Sequence, residues 1–235
     1  MKTSNTSPGS APSHTICVTG GSGFIASHVV RELLERGHKV RATVRDPADQ
    51  PKTAHLWAIA AAADASERLE LFAGDLMQPG SFDAAVAGCD VVCHMAAAAV
   101  LSAANPQRDI VDPSVQGCAN LLGAISRSGS VQKVVHTSSI AAIQRFADAP
   151  KHTFTEADWN TESTLASDPY GLAKTEAERA MWRAHDAQAD VATPWQLVTM
   201  NPVVVFGPPY TKAHTKGSNV FLRDLIGGAY PATPP

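Results

Sequence analysis

Short apolar runs alternate with helical repeats along this chain from residue 15 onward. The run at 15–19 is rich in β-branched and apolar residues and is followed at once by glycines, which predicts a buried strand. Residues 25–36 then repeat aliphatic side chains at helical spacing. Gly37 follows as the glycine that commonly ends a helix. A strand, a turn and a helix are therefore predicted at the start of the fold.

The same alternation continues towards the end of the chain. Short β-branched runs predict further strands at 39–44, 69–73, 90–94, 131–137 and 196–206. Helical periodicity predicts further helices at 53–63, 81–87, 114–126, 170–187 and 219–226. Strands that alternate with helices form parallel sheets that are covered on both faces. The pattern therefore predicts an α/β fold with a Rossmann-type, doubly wound parallel sheet.

The bulk composition narrows the range of functions. The chain has 235 residues, 44% of them hydrophobic, and a formal net charge of -3. It can bury the core of one large domain, and it lacks the basic stripe that nucleic-acid-binding proteins carry. No apolar run approaches the roughly 20 residues that span a bilayer. We therefore expect a cytoplasmic protein that acts on small molecules and binds neither nucleic acid nor membrane.

The four cysteines lie in apolar runs and lack the paired spacing of a zinc site. This placement favours buried free thiols in a reducing compartment, and no metal is predicted. The cysteines are Cys17, Cys89, Cys93 and Cys118.

A glycine-rich turn joins the first predicted strand to the first predicted helix. Small residues at Gly20, Gly23 and Ala26 would let the backbone turn tightly, approach a pyrophosphate and pack the helix against the strand. The free amides and the dipole of the helix N-terminus favour an anion there. A glycine turn without a ligand is the alternative, but the position between a strand and a helix favours a dinucleotide site. The cofactor-binding residues predicted here are Thr19, Gly20, Ser22, Gly23, Phe24 and Ile25.

The end of the second strand carries charges that bear on the choice of cofactor. An acidic residue at this point favours the free 2′-hydroxyl of NAD, whereas an arginine accommodates the 2′-phosphate of NADP. Arg45 therefore indicates NADP(H), with Arg41 as a candidate helper. Asp46 competes as a ribose-binding acid, and a solvated strand-end charge is the plain alternative for Arg45.

Two further strand ends supply predicted cofactor contacts. Asp75 and Leu76 follow the third strand, where a carboxylate could accept a hydrogen bond from the adenine amino group. Ala96 and Ala97 follow the fourth strand, and their small side chains allow a flat cofactor to approach closely. Either pair alone would be unremarkable. Their weight comes from their place at the ends of parallel strands, where such sheets bind ligands.

A tyrosine and a lysine stand four residues apart on one predicted helix face. The ammonium of Lys174 is expected to favour the phenolate of Tyr170 and so to lower its pKa from the usual value of about 10, which suits proton transfer. Ser139 closes the fifth strand, where its hydroxyl could hydrogen-bond a carbonyl oxygen and stabilise developing charge. Such pairs are common on solvated helix faces, but the order of these residues after a glycine turn favours a catalytic set.

In this order, the motifs resemble the extended short-chain dehydrogenase/reductases. Within that family, the chain is most similar to the group of dihydroflavonol reductases, cinnamoyl-CoA reductases and fungal aldehyde (ketone) reductases. The resemblance covers residues 14–228. The segments that carry it are 18–26, 40–47, 80–83, 88–94, 137–139, 170–174, 201–202 and 206–208.

The resemblance implies a role for each candidate residue. Ser139 would orient the substrate carbonyl, Tyr170 would donate the proton, and Lys174 would bind the nicotinamide ribose and tune the tyrosine. The backbone from Pro202 to Val205 would meet the nicotinamide amide. The implied reaction is hydride transfer from NADPH to an aldehyde or ketone, for which the protein supplies position and electrostatics. Dimers are frequent in the family, so a homodimer is a further expectation.

The chain departs from the family pattern in three places. Ala26 replaces the third glycine, and Ser114 stands where asparagine is common. The family also continues for on the order of a hundred residues that supply much of the substrate pocket, so the chain resembles a C-terminally truncated member. The expected organisation is a disordered leader at 1–14, an NAD(P)-binding domain at 15–206, and a partial substrate lobe or irregular tail at 207–235.

The substrate is not identified by the sequence. Pocket residues are expected from the loops at 97–108 and 144–158. There Phe146, Phe154 and Trp159 form either an aromatic wall or ordinary packing.

Two other functions stay open. A nucleotide-sugar epimerase or dehydratase would use the same catalytic set, but such enzymes tend to carry an acidic strand-end residue in place of Arg45. A cofactor sensor, a scaffold or a catalytically impaired fragment is the alternative from a different class. Such sensors keep the glycine turn and lose the Tyr/Lys pair, which this chain retains.

Overall fold

Six parallel strands form one sheet in the computed structural model, which describes residues 12–97, 102–144, 153–189 and 191–229. Their order across the sheet is third, second, first, fourth, fifth and sixth in the chain, and every neighbouring pair is parallel. The winding reverses between the first and the fourth strand, so the predicted doubly wound Rossmann-type fold is confirmed. The strands are β1 (Thr15–Thr19), β2 (Lys39–Val44), β3 (Leu69–Ala73), β4 (Val91–His94), β5 (Lys133–Thr137) and β6 (Gln196–Met200).

Helices cover both faces of the sheet. They are α1 (Phe24–Glu35), α2 (Gln50–Ala62), α3 (Asp83–Val86), α4 (Asp112–Ser128), α5 (Pro169–Asp186) and α6 (Ser218–Ile226). Because successive side chains of a strand point to opposite faces, β1 contributes to both layers of the core. Ile16 and Val18 pack in one buried cluster with α1 and α2, and Cys17 packs in the other with α4 and α5.

The predicted strand at 196–206 is too long, since β6 ends at Met200. Pro202 has no N–H with which to continue a ladder. The chain instead runs beside the turn that follows β5: the N–H of Ser138 donates to the carbonyl of Met200 at 2.9 Å, and the N–H of Ile140 donates to that of Pro202 at 3.1 Å. The residues after Met200 therefore stay close to the end of β5.

Other predicted boundaries also shift. The helix expected at 81–87 is the single turn of α3, between two glycines with positive φ, Gly80 (+79°) and Gly88 (+70°). Helix α2 begins before residue 53 because Pro51 fits its first turn, where a missing N–H costs nothing. A π-helical turn at Gln107–Val111 leads into α4.

The segment that follows β6 returns to the glycine turn. The ring of His214 is buried, and its Nε2 lies 3.0 Å from the carbonyl oxygen of Ser22. His28 Nε2 lies 3.1 Å from the carbonyl oxygen of Pro208. The start of the predicted tail is therefore packed against the first helix. Among the described residues, no helix has the length and apolar character needed to cross a membrane.

Candidate active site

A cavity of about 830 Å³ opens at the carboxyl ends of the strands, where the winding of the sheet reverses. This is the place at which open α/β sheets bind their ligands. The structure brings together here nearly all of the residues predicted from the sequence. They are Gly20, Ser22, Gly23, Phe24, Ile25, Ala26, Arg45, Asp75, Leu76, Ala96, Ala97, Ser139, Tyr170, Lys174, Pro202 and Val205.

The glycine turn is shaped for close approach by a ligand. Gly20 has a φ of +67°, and a Cβ at this position would lie 2.9 Å from Cα of Ala96. A Cβ on Gly21 would lie 2.7 Å from Cβ of Ala42. Gly23 is the N-cap of α1 and has no side chain that could accept a hydrogen bond from the first helical amides. The turn therefore leaves N–H groups and the positive end of a helix dipole beside the cavity, a setting that suits a phosphate.

Thr19 supports the turn from below and does not line the cavity. Its side chain is fully buried, and its Oγ1 accepts hydrogen bonds from the N–H groups of Met95 (3.0 Å) and Ala96 (3.1 Å). These contacts join the end of β1 to the end of β4. The predicted cofactor role of Thr19 is thus an indirect one in this structure.

Of the three charged residues predicted around the second strand, only Arg45 lines the cavity. Arg41 is not a helper, and that prediction is wrong. Its guanidinium lies 5.6 Å from the centre of the Phe72 ring and donates to the carbonyl of Ala87. Asp46 accepts a hydrogen bond from the N–H of Ala48 at 2.8 Å, which makes it part of a local turn.

The predicted catalytic set forms where β5 and α5 meet. Ser139 is the N-cap of a short 3-10 turn and accepts from the N–H of Ala141 at 3.2 Å. Its side chain and the phenol of Tyr170 line the same cavity. Asp168 caps α5 by accepting from the N–H of Gly171 at 3.0 Å, and this cap fixes the first turn of the helix on which Tyr170 stands.

The expected lowering of the tyrosine pKa is wrong. Burial raises the pKa of Tyr170, the hydrogen bond from Ser139 lowers it, and the charge of Asp168 raises it. Nζ of Lys174 lies over the phenol ring, 5.9 Å from its centre. Tyr170 therefore stays a protonated phenol near neutral pH, which is the form that can donate a proton.

A buried cluster beneath the cavity was not anticipated from the sequence. His94 and His136 are directly paired residues of β4 and β5, and together with Cys118 of α4 they place three possible ligand atoms within 4.8 Å of one another. The thiol of Cys118 lies 3.7 Å from Nε2 of His94. The available signal was a histidine near the end of each of two neighbouring strands. His94 is the last residue of β4, and His136 is the last but one of β5.

Within this cluster, His94 and Cys118 are hydrogen-bonded as in a packed core, whereas neither ring nitrogen of His136 has a partner among the described residues. Oγ1 of Thr19 already accepts from two backbone amides, so its own proton goes to Nδ1 of His94, 2.8 Å away. The remaining ring proton then sits on Nε2 and points at Cys118. The predicted burial of the free thiols is confirmed for Cys17, Cys89 and Cys118, whereas Cys93 is partly exposed.

The two described members of the predicted aromatic wall do not line the cavity. Phe146 lies outside the described residues, and neither Phe154 nor Trp159 lines the cavity. Trp159 instead packs against the guanidinium of Arg179, whose carbon lies 5.2 Å from the ring centre. Residues that line the cavity and were missed include Met95, Pro113, Lys216, Gly217 and Ser218.

The fold and the site together define a dinucleotide-binding α/β protein of the extended short-chain dehydrogenase/reductase type. Residues 16–229 match the family described as the NAD dependent epimerase/dehydratase family. The chain belongs to this family.

Curated relatives of this chain are plant reductases. A cinnamoyl-CoA reductase of Medicago truncatula is 40% identical over 224 residues, which are 92% of this chain and 65% of the relative. Tetraketide alpha-pyrone reductase 1 of Arabidopsis thaliana is 38% identical over 196 residues, 82% of this chain and 58% of the relative. The chain thus spans less than two thirds of the length of these relatives.

Solved structures give the same picture. Gre2 of Candida albicans in complex with NADPH superposes with a TM-score of 0.73 at 32% identity, over 87% of this chain and 62% of Gre2. Yeast methylglyoxal/isovaleraldehyde reductase Gre2, also complexed with NADPH, has a TM-score of 0.73 at 29% identity, over 86% of this chain and 61% of that one.

Proposed function

We propose that this chain is an NADPH-dependent carbonyl reductase, an oxidoreductase that converts an aldehyde or ketone to the corresponding alcohol. The observation that carries the proposal is that Ser139, Tyr170 and Lys174 line the same cavity as the glycine turn. The reductase relatives and the two NADPH complexes support the same activity.

The residues of the cavity fit the cofactor. The close approach of Gly20 to Ala96, the free amides at the start of α1 and the cavity volume of about 830 Å³ suit a dinucleotide with a pyrophosphate. Arg45 lines the cavity and would hold a 2′-phosphate. The competing acid, Asp46, is engaged in a local turn. NADPH is therefore favoured over NADH, and a nucleotide-sugar epimerase with NAD is correspondingly disfavoured.

The chemistry divides between the cofactor and the side chains. NADPH supplies a hydride to the carbonyl carbon, and the carbonyl oxygen takes up one proton, so a carbonyl, a hydride and a proton give an alcohol. Ser139 orients the carbonyl oxygen by hydrogen bonding. Tyr170 holds its proton at neutral pH and donates it to the oxygen as negative charge develops there. Lys174 binds the nicotinamide ribose from its buried position on α5.

Three predictions from the sequence remain predictions: the cytoplasmic location, the homodimer, and the division into a leader, an NAD(P)-binding domain and a tail at 1–14, 15–206 and 207–235. Light scattering on the purified protein tests the homodimer, and limited proteolysis tests the boundaries.

The first test is a titration of the purified chain with NADPH and NADH, followed by calorimetry. Saturable binding that prefers NADPH supports the cofactor assignment. Oxidation of NADPH in the presence of a panel of aldehydes and ketones then tests turnover. A folded chain that binds neither nucleotide would contradict the proposal, and so would a chain that binds NADPH but reduces no carbonyl in the panel.

A further inference from the structure

A buried carboxylate lies next to the proposed catalytic set and has no role in the reaction described so far. Glu178 is 6% exposed and stands on α5 one turn after Lys174 and two turns after Tyr170, so the three residues share one helix face. Removing a carboxylate from water is unfavourable unless it is hydrogen-bonded and opposed by a positive charge. The protein must therefore satisfy Glu178 internally.

Both carboxylate oxygens of Glu178 have donors. Nδ2 of Asn201 donates to Oε2 at 2.8 Å, and Nε1 of Trp182 lies 3.4 Å from Oε1. Nδ2 of Asn201 also donates to the backbone carbonyl of Ser139 at 3.1 Å, so both hydrogens of this amide are used. Asn201 thereby links α5 to the turn that follows β5. This link fixes the backbone of Ser139 relative to the helix that carries Tyr170.

The positive charge on the same buried helix face is the ammonium of Lys174, one turn before Glu178. Burial lowers the pKa of Lys174, while Cys118 and Glu178 raise it. Burial raises the pKa of the Cys118 thiol itself to about 12, so this thiol carries no charge near neutral pH.

The remaining titratable groups around Lys174 are neutral as well. Burial lowers the pKa of His94 to about 3 and that of His136 well below its usual value, and burial raises the pKa of Tyr170. Among the described groups whose charge acts on Lys174, Glu178 is therefore the one carboxylate.

We propose that Glu178 is the buried counter-charge of Lys174 and that, through Asn201, it positions the Ser139 turn against Tyr170. Glu178 does not line the cavity, so it is a positioning residue and not a catalytic one. The consequence for cofactor binding rests on the proposed function of Lys174. The charge pairing itself does not depend on the proposed function, because it requires only the folded chain.

The charge pairing is tested by a double-mutant cycle on the full chain without cofactor. Glu178→Gln, Lys174→Met and the double variant are unfolded in urea at pH 7. Glu178→Gln alone should lower the urea midpoint, because it leaves an ammonium buried without its counter-charge. The same substitution should lower the midpoint much less, or raise it, when Lys174→Met is already present. Glu176→Gln, which removes the same charge from the half-exposed side of α5, should show no coupling to Lys174→Met.

The cycle has outcomes that overturn the proposal. If the shifts in urea midpoint of the two single variants add up to that of the double variant, Glu178 does not interact with the charge of Lys174. If Glu178→Gln does not fold by circular dichroism but the double variant does, the pairing is supported. If neither folds, loss of the Asn201 contact explains the result and the counter-charge assignment is rejected.

The effect on the cofactor is tested by measuring NADPH affinity from pH 6 to pH 10. Without Glu178 the ammonium of Lys174 is lost at lower pH, so the affinity of Glu178→Gln should fall at lower pH than that of the wild type. Glu178→Asp keeps the charge and should restore the wild-type pH dependence. Superimposable pH profiles of the wild type and Glu178→Gln would contradict the proposal. A wild-type chain that binds no NADPH would count against the proposed function, and the urea cycle would still decide the charge pairing.

The positioning role of the amide is tested separately. Asn201→Ala breaks the link to the Ser139 carbonyl and leaves the charges in place. It should lower kcat/KM for carbonyl reduction on the order of 10²-fold, since small displacements of reacting groups have effects of that size, and it should not move the alkaline limit of NADPH affinity. Unchanged kcat/KM in this variant would reject the positioning role.

Discussion

The two halves of the sheet present different kinds of site. In the half formed by β1, β2 and β3, the ligand-facing surface is mainly backbone: Gly20 has a φ of +67°, and its Cα comes close to Ala96. In the half formed by β4, β5 and β6, the surface is formed by side chains, among them those of Ser139, Tyr170 and Lys174. Ligand binding at a backbone surface is expected to be weakened by a substitution that adds atoms. Function at a side-chain surface is expected to be lost when a substitution removes a functional group.

The largest effect is expected in the side-chain half, from Tyr170→Phe. This change removes one hydroxyl and with it the proposed proton donor, while the ring stays in place. We expect kcat for carbonyl reduction to fall on the order of 10³-fold, since general acid catalysis contributes effects of this size, and NADPH affinity to stay nearly unchanged. Stopped-flow kinetics and calorimetry on the same preparation measure the two quantities. Turnover that survives in Tyr170→Phe would reject the proton-donor role.

The second effect tests the backbone half by adding one carbon. Gly20→Ala places a Cβ 2.9 Å from Cα of Ala96 on a residue with positive φ. Gly129→Ala is the matched control, because Gly129 has a φ of +62° and nothing lies within 4 Å of its added Cβ. Both variants should lose about 1–2 kcal/mol of stability from the backbone conformation.

Only Gly20→Ala should also lose NADPH affinity, because the turn must shift to make room for the methyl group. Urea unfolding and NADPH titration of the two variants separate the two effects. Equal NADPH affinities for Gly20→Ala, Gly129→Ala and the wild type would show that the glycine turn does not contact the cofactor.

A smaller effect is expected from the proposed contact between Arg45 and the 2′-phosphate, which depends on charge. Arg45→Asp should weaken NADPH binding roughly 10- to 100-fold, the loss expected for charged hydrogen bonds, and should change NADH binding much less. Arg183→Asp makes the same charge change at an exposed position of α5 and should leave both affinities unchanged. If Arg45→Asp keeps the wild-type preference for NADPH over NADH, a group other than Arg45 binds the 2′-phosphate.

The sequence predicted the backbone half more completely than the side-chain half. Glycines between a strand and a helix report their conformation directly, so the turn at Gly20 could be located from local spacing. Contacts across the sheet could not be located from local spacing, because they depend on which strands pair. The mistaken role of Arg41 is an example: a residue in the middle of β2 is free to reach Ala87 and Phe72, and spacing along the chain does not show this.

The electrostatic errors have the same origin. The spacing of Tyr170 and Lys174 indicated a shared helix face, and the structure agrees, but the sign of the tyrosine pKa shift depends on burial. Burial is a property of the packed fold, to which distant segments contribute. For this reason the hydrogen bond that Asn201 donates to Glu178, 23 residues away in the chain, left no recognisable local signal.

The smallest effect on stability at neutral pH is expected from the buried histidines of the side-chain half. Their effect appears at acid pH. Burial lowers the pKa of His94 to about 3 and that of His136 well below its usual value. Both rings are therefore neutral in the folded chain at pH 5, while in the unfolded chain they take up protons below pH 6.5 or so. The unfolded state binds more protons in this range, so stability is lost as the pH falls from about 6.5 towards 3, and it is unaffected above that window.

His136→Phe separates this effect from other sources of acid sensitivity. Neither ring nitrogen of His136 has a hydrogen-bond partner among the described residues, so phenylalanine removes no hydrogen bond and should leave stability at pH 7.5 unchanged or slightly higher. Between pH 6 and pH 4, its free energy of unfolding should fall less steeply than that of the wild type, by up to about 1.4 kcal/mol per pH unit for the one proton removed. Urea unfolding at several pH values measures this slope. Identical slopes would mean that His136 titrates normally in the folded chain and that acid sensitivity arises elsewhere than in the core beneath the catalytic set.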